Sequence, residues 1–139
     1  MRSRPRALPT TAFRGSRAQD SVTSMSELAT RHCVPCRGGT PRLRGEEIVA
    51  LRRQLHADWE VVDEHLLERT FRFPDFRQAL AFTNRVGELA EAEDHHPDLH
   101  LTGYRQVAVE LSTHAVKGLT DNDFILAAKI DQLPVELKQ

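Results

Sequence analysis

Between Pro97 and the end of the histidine-bearing region the chain reads DLHLTGYRQVAVELSTH, residues 98–114. Val107, Val109 and Leu111 fall at every second position. Gln106, Ala108, Glu110, Ser112 and His114 fall between and after them. A period of two sends alternate side chains to opposite faces of a strand, so one face is apolar and the other polar. Gly103 breaks the run and marks a turn or bulge between two antiparallel strands. A chain with such a hairpin must cover one apolar sheet face, and the flanking sequence supplies the cover.

Upstream, EEIVALRRQLHA places Ile48, Leu51 and Leu55 on one helical face, which predicts a helix over 46–57. Trp59, Val61 and Val62 predict a short strand, and Leu66, Leu67, Thr70 and Phe71 a second one after a turn at Asp63–Glu64. PDFRQALAFTNRVGELAEAED predicts a long helix with Pro74 in its first turn, where the missing N–H costs nothing. Its expected buried stripe is Phe76, Ala79, Leu80, Thr83, Val86 and Ala90, widened by Phe82 and Leu89. GLTDNDFILAAKIDQL predicts a last helix capped by Thr120, with Asp123 three residues on. The order is α-β-β-α-β-β-α, with no parallel crossover. An α+β domain follows: a four-stranded antiparallel sheet with three helices packed on one face.

The 139 residues suit one domain. Residues 1–24 are rich in Arg, Ser, Thr and Pro and cannot bury a core, so a disordered N-terminal extension is expected. That composition mildly resembles an organelle transit peptide, but an upstream start added before Met25 of a shorter protein explains the same facts and is the preferred reading. Residues 25–44 read as an irregular Cys/Gly/Pro arm, and 45–139 as the folded domain. Cys33 and Cys36 form CVPC. Two thiolates cannot complete a four-ligand zinc site, and no βαβ pattern surrounds them as around a redox pair. They read as reduced thiols in a loop, unless a nearby histidine or a second subunit completes a site.

Charge is uneven. Residues 1–44 carry a net +7 and residues 45–139 a net −8. An acidic body lacks the basic face that a backbone-tracking nucleic-acid binder needs. No run of about 18 apolar residues predicts a membrane span.

The titratable groups concentrate around EAEDHHPDLH, where His95 and His96 stand before Pro97. His100 and His114 follow, with Glu91, Glu93, Asp94 and Asp98 nearby. Three readings compete: a metal site, an acid–base site, and a polar helix end. Helical metal histidines want i, i+4 spacing. Adjacent ones diverge by about 100° on a helix, so these two chelate together only across an irregular junction. Pro97 supplies one, because it drives His96 to an extended backbone. Acid–base work fits divergent vectors better, since two imidazoles can serve two sides of one substrate near neutral pH. The third reading leaves His96 at a negative helix end. His100, by alternation, is a surface residue.

EDHHPDLHLTGY followed by VELSTHAVKGLTDNDFILAAKID resembles the pterin-4a-carbinolamine dehydratases. In order, Glu91, His95, His96, Pro97, Tyr104, His114 and Asp123 match the family pattern. Trp59, FRFPDFRQALAF and the CVPCRGG arm are similar to the family too, and the likeness covers about 44–133. Two departures stand out. The gap from Pro97 to STH is one residue longer than in animal members, which puts Tyr104 in a shifted register or behind a bulge. Lys117 stands where a small residue is usual.

The resemblance implies a hydro-lyase that removes water from a 4a-hydroxytetrahydropterin, giving a quinonoid dihydropterin in tetrahydrobiopterin recycling. It implies no metal and no organic cofactor. His95, His96 and His114 would be the catalytic imidazoles, with direct proton transfer by His96 and His114. Glu91, Pro97 and Asp123 would sit on the substrate-binding side, Glu91 holding His95 one turn away. Asp123 could equally serve only as a helix cap. The resemblance also implies a homodimer or homotetramer, a cytoplasmic setting (or an organelle, if 1–24 is a transit peptide), and no direct nucleic-acid or membrane partner. Its alternative is a non-catalytic adaptor of the same fold, since animal members dimerise a homeodomain transcription factor. A metal chaperone combining the histidines with CVPC is a further rival.

Overall fold

A computed structural model describes residues 27–34, 41–135 and 137. The expected extension over 1–24, Met25 and Cys36 lie outside the described residues. Helix α1 spans Gly45–Arg52, followed by strands β1 (Glu60–Val62) and β2 (Leu66–Arg72). Helix α2 (Phe76–Glu93), strands β3 (Asp98–Thr102) and β4 (Gln106–Leu111), a short 3-10 turn (His114–Val116) and helix α3 (Asp121–Asp131) complete the order. The strands form one antiparallel sheet in the order β1-β2-β4-β3. This is the expected α+β architecture, with three helices on the sheet.

The alternation at 106–111 places Val107, Val109 and Leu111 in the core beside Leu67 and Phe71. Across the opposite face one row of the sheet aligns Glu60, Glu68, Glu110 and Asp98. Asp63 and Glu64 both take positive φ, which closes the tight β1–β2 turn. Gly103 and Tyr104 do the same at the second hairpin. The β3–β4 pairing runs unbroken from Asp98–Glu110 to Thr102–Gln106. Tyr104 therefore sits exposed at the hairpin tip and not behind a bulge.

Phe82 is the centre of the core. Its ring lies 4.6 Å from that of Phe71 and 5.0 Å from that of Phe73. Trp59 meets Phe71 edge-on at 6.2 Å, a favoured aromatic geometry. The Trp59 indole N–H donates to Asp131 at 2.8–2.9 Å, and Arg69 Nη1 donates to the same carboxylate at 2.8 Å. Burial pushes the Asp131 carboxyl up, against the pull of the indole N–H and the guanidinium. Arg69 also lies over the Phe71 ring at 4.2 Å, a cation–π contact inside the core.

Four local expectations need correction. Helix α1 ends at Arg52 and not at 57, because Gln54 and Leu55 donate to carbonyls three residues back and tighten the chain into turns. Pro74 precedes α2 and is not in its first turn. Asp75 is the cap, and its side chain accepts from the Gln78 N–H at 2.9 Å. The buried stripe of α2 is Ala79, Phe82, Val86 and Ala90. Phe76 and Leu80 are exposed, since the helix is rotated to put Phe82 against Phe71 and Phe73. Finally, residues 27–30, within the stretch read as irregular, form a helical turn that buries Leu28 and Ala29.

Candidate active site

Helix α2 stops at Asp94, which adopts a left-handed conformation with φ 53°. Asp tolerates that region better than most residues because its short side chain bonds locally. The reversal separates the two histidines. His95 turns under the helix end towards α3, and its Nε2–H donates to Oδ1 of Asp123 at 2.6 Å. His96 turns back along α2, and its Nε2–H donates to Glu91 at 2.5 Å. Glu91 thus holds His96, not His95 as the i, i+4 spacing suggests. The two environments differ sharply: the His95 side chain is 11% exposed and that of His96 55%.

Asp123 is fully buried and does not reach the cavity wall. Its Oδ2 accepts from the Thr113 hydroxyl at 2.8 Å and from the Thr120 N–H at 3.0 Å. The two threonine hydroxyls are 2.8 Å apart. Asp123 is therefore both the predicted helix-start partner of Thr120 and the anchor of His95. Its place is behind the imidazole, away from the cavity that His95 lines. In the neutral ring, an Nε2–H held by this carboxylate leaves Nδ1 as the lone-pair nitrogen.

The third histidine arrives from another segment. Strand β4 ends at Leu111, and Thr113 pairs with Gly118 across a short loop through mutual backbone bonds of 2.7 and 3.4 Å. His114 opens the 3-10 turn inside that loop. Lys117 closes it at φ 54°, a backbone region that suits the small residue the family resemblance puts there.

His95, His96 and His114 line one cavity of about 350 Å³, together with Asp94, Ser112, Thr113, Ala115, Asn122 and Val34. That volume is within the range of small-ligand pockets. His96 also borders a neighbouring hollow, which Glu91, Pro97 and Leu99 help to line. Of the expected residues, then, three imidazoles share one cavity, Glu91 and Pro97 stand beside it, and Asp123 lies behind it. Tyr104 lines neither hollow. His100 sits on the open sheet face with its Nε2 3.3 Å from Glu110. Another hollow, bounded by Phe73, Gln78, Ala81, Arg85, Pro134 and Val135, offers no proton carrier near neutral pH. No group of three metal-capable side chains occurs among the described residues.

Sequence reasoning missed Thr113, Asn122 and Val34, and named Glu93 only as a neighbour of the histidines. Thr113 stands in the STH motif beside His114, so its proximity was a usable signal. Asn122 and Glu93 act through the arm. Glu93 accepts from the Cys33 N–H at 2.8 Å and lies 3.2 Å from His32 Nδ1 and 3.6 Å from Lys129 Nζ. Burial pushes its carboxyl up, but the Cys33 N–H, the His32 ring and the Lys129 ammonium outweigh it and bring it below the ordinary value. The Cys33 thiol is pushed up to about 12, chiefly by burial and then by Glu93. A thiol so held stays protonated at neutral pH and is a poor nucleophile.

The Pterin 4 alpha carbinolamine dehydratase family matches residues 41–133. A provisionally named pterin-4-alpha-carbinolamine dehydratase of Rubrobacter xylanophilus is 57% identical over 109 residues, covering 78% of this chain and all of that protein. Pterin-4-alpha-carbinolamine dehydratase 2, mitochondrial, of Arabidopsis thaliana is 44% identical over 116 residues, 81% of this chain and 62% of that one. A crystal structure from Brucella melitensis, titled as a transcriptional coactivator/pterin dehydratase, superposes with a TM-score of 0.61 at 35% identity. It matches 66% of this chain and 96% of that one. The chain belongs to the pterin-4-alpha-carbinolamine dehydratase family. None of its described helices is long and apolar enough to cross a membrane.

Proposed function

We propose that this protein dehydrates a 4a-hydroxytetrahydropterin to a quinonoid dihydropterin by histidine acid–base catalysis. The observation that carries the reading is the meeting of His95, His96 and His114 at one cavity, with His95 fixed by a buried carboxylate. The reaction makes two demands. The 4a-oxygen must take a proton as the C4a–O bond breaks, and N5 must lose its proton as the C4a=N5 bond forms. Water leaves, and no redox change occurs. Imidazoles meet both demands near neutral pH, each transfer contributing roughly 10²–10⁴-fold. His96 and His114 are the direct proton carriers in this reading. His95, held at Nε2, orients the substrate or shares the base role through Nδ1. Glu91 and Pro97 shape the substrate side next to His96, and no metal or organic cofactor takes part.

The test is turnover of an enzymatically generated 4a-hydroxytetrahydropterin by the wild type, His96→Ala and His114→Ala. A loss of about 10²-fold or more in each variant supports the reading. Unchanged rates in both overturn the assigned roles. The same variants address the adaptor alternative, which draws on the coactivator wording of the Brucella title: an adaptor keeps its function without them. A homodimer or homotetramer is part of the reading, supported by the exposed Phe76 and Leu80 on α2. Native mass measurement tests it.

A further inference from the structure

The described part of the arm, residues 27–34, ends beside the cavity of the three histidines, and buried polar side chains fix it there. Asn122 is 4% exposed, and its amide clamps one residue of the arm from both sides. Its Oδ1 accepts from the Val34 N–H at 3.0 Å, and its Nδ2 donates to the Val34 carbonyl at 2.6 Å. One residue earlier, Glu93 takes the Cys33 N–H. Arg31 pairs with Asp121 at 3.1 Å, and Lys129 donates to the Ala29 carbonyl at 2.6 Å. The backbone at 33–34 is thus tied to the end of α2, just before His95, and to the start of α3, which carries Asp123.

Covering the core explains the buried Leu28 and Ala29. It does not explain Val34, which is 63% exposed although its backbone N–H and carbonyl are both held. Val34 borders the cavity of the three histidines. Polar groups and proton carriers make up most of the other lining, so Val34 adds an apolar surface to it. A bicyclic pterin ring needs such a surface, because ligand sites pair apolar walls with a few placed polar groups.

We propose that the arm at 33–34 is the outer wall of the substrate cavity and that Val34 packs against the bound pterin ring. The arm then governs how tightly substrate is held, while the histidines govern how fast it reacts. This inference rests on the proposed dehydratase function. Its experiment separates the two.

Kinetics of Val34→Gly, Val34→Asp and Asn122→Ala are compared with wild type, together with binding of 7,8-dihydrobiopterin as a non-reacting probe. Val34 is exposed, so its variants keep the fold. The expected result for Val34→Gly is a KM and a probe Kd raised about 5–20-fold, the scale of lost apolar contacts in a pocket, with kcat within about twofold. Val34→Asp raises both further, and Asn122→Ala moves them in the same direction. An active wild type whose Val34 variants keep KM and Kd overturns the wall and leaves the dehydratase function standing. A fall in kcat at constant KM also overturns it, since the arm would then act in chemistry. A wild type that neither turns over nor binds the probe overturns the dehydratase reading and this inference together.

Discussion

The His95 imidazole and the Asp123 carboxylate meet at 2.6 Å although 28 residues separate them, and the second oxygen of Asp123 is engaged by Thr113 and Thr120. A carboxylate with both oxygens occupied has little freedom to rotate, so the ring it holds has little either. Asp123→Asn keeps the size but replaces one oxygen with a donor that opposes the Nε2–H of His95. Turnover is expected to fall about 10²-fold or more. Thr113→Val is expected to lower it less, and Thr113→Ser to restore it. Parallel thermal melts check that each variant is folded.

Glu91 holds His96 on the outside of the site, and its side chain is 78% exposed. A pair so placed contributes little to stability, within about 0.5 kcal/mol. Glu91→Gln should therefore leave the urea midpoint almost unchanged while turnover falls several-fold. Steady-state kinetics and equilibrium unfolding on the same preparation give both values.

Asp131 lies at the opposite end of α3 from the histidines and serves structure alone. Removing it leaves the Trp59 indole N–H without its acceptor and the buried Arg69 guanidinium with only the exposed Asp58 carboxylate, 3.7 Å away. Asp131→Ala should destabilise the fold by about 3 kcal/mol, the lower end of the cost of breaking a buried ion pair. Urea denaturation measures the loss, and the folded fraction should keep its turnover.

Glu93 gives the arm a pH dependence of definite sign. Its carboxyl lies below the ordinary value of 4.5 when the arm is in place. The docked state therefore binds fewer protons than the released one. The Glu93 contribution to docking is fully present above about pH 4.5 and is lost as pH falls through the lowered value. The protection factor of the Cys33 amide, its exchange corrected for the intrinsic rate at each pH, should fall on acidification in that window. In Glu93→Gln that fall should disappear, with protection already low at neutral pH.

Lys117 occupies a left-handed position at φ 54°. A side chain there costs about 1–2 kcal/mol, part of which glycine returns as chain entropy on unfolding. Lys117→Gly is expected to stabilise the protein by about 0.5–1 kcal/mol, read as a higher urea midpoint at constant slope. Lys117→Ala, which keeps the Cβ, should give no such gain.

Much of the fold is legible in the residues because the sheet advertises itself. The alternation at Val107, Val109 and Leu111 gives face and strand together, and Gly103 gives the turn. Helix rotation is less legible: α2 has apolar residues on more than one side, and only the rings of Phe71 and Phe73 decide that Phe82 faces inward while Phe76 and Leu80 do not. At the site, residue types were readable but partnerships were not. Spacing alone pairs Glu91 with His95. The left-handed turn at Asp94 changes the partner to His96, and nothing periodic in the sequence marks that turn. The Asn122–Val34 clamp joins positions 88 residues apart through one side-chain amide, and such contacts leave no local pattern.

The backbone reversal at Asp94 gives two neighbouring imidazoles unlike relations to bulk water. In the proposed dehydration His95, sheltered and braced, keeps its position from one cycle to the next, and His96, open to solvent, can trade protons with the medium between cycles. On that reading a single residue divides the labour of a dyad, one member keeping alignment and the other recharging.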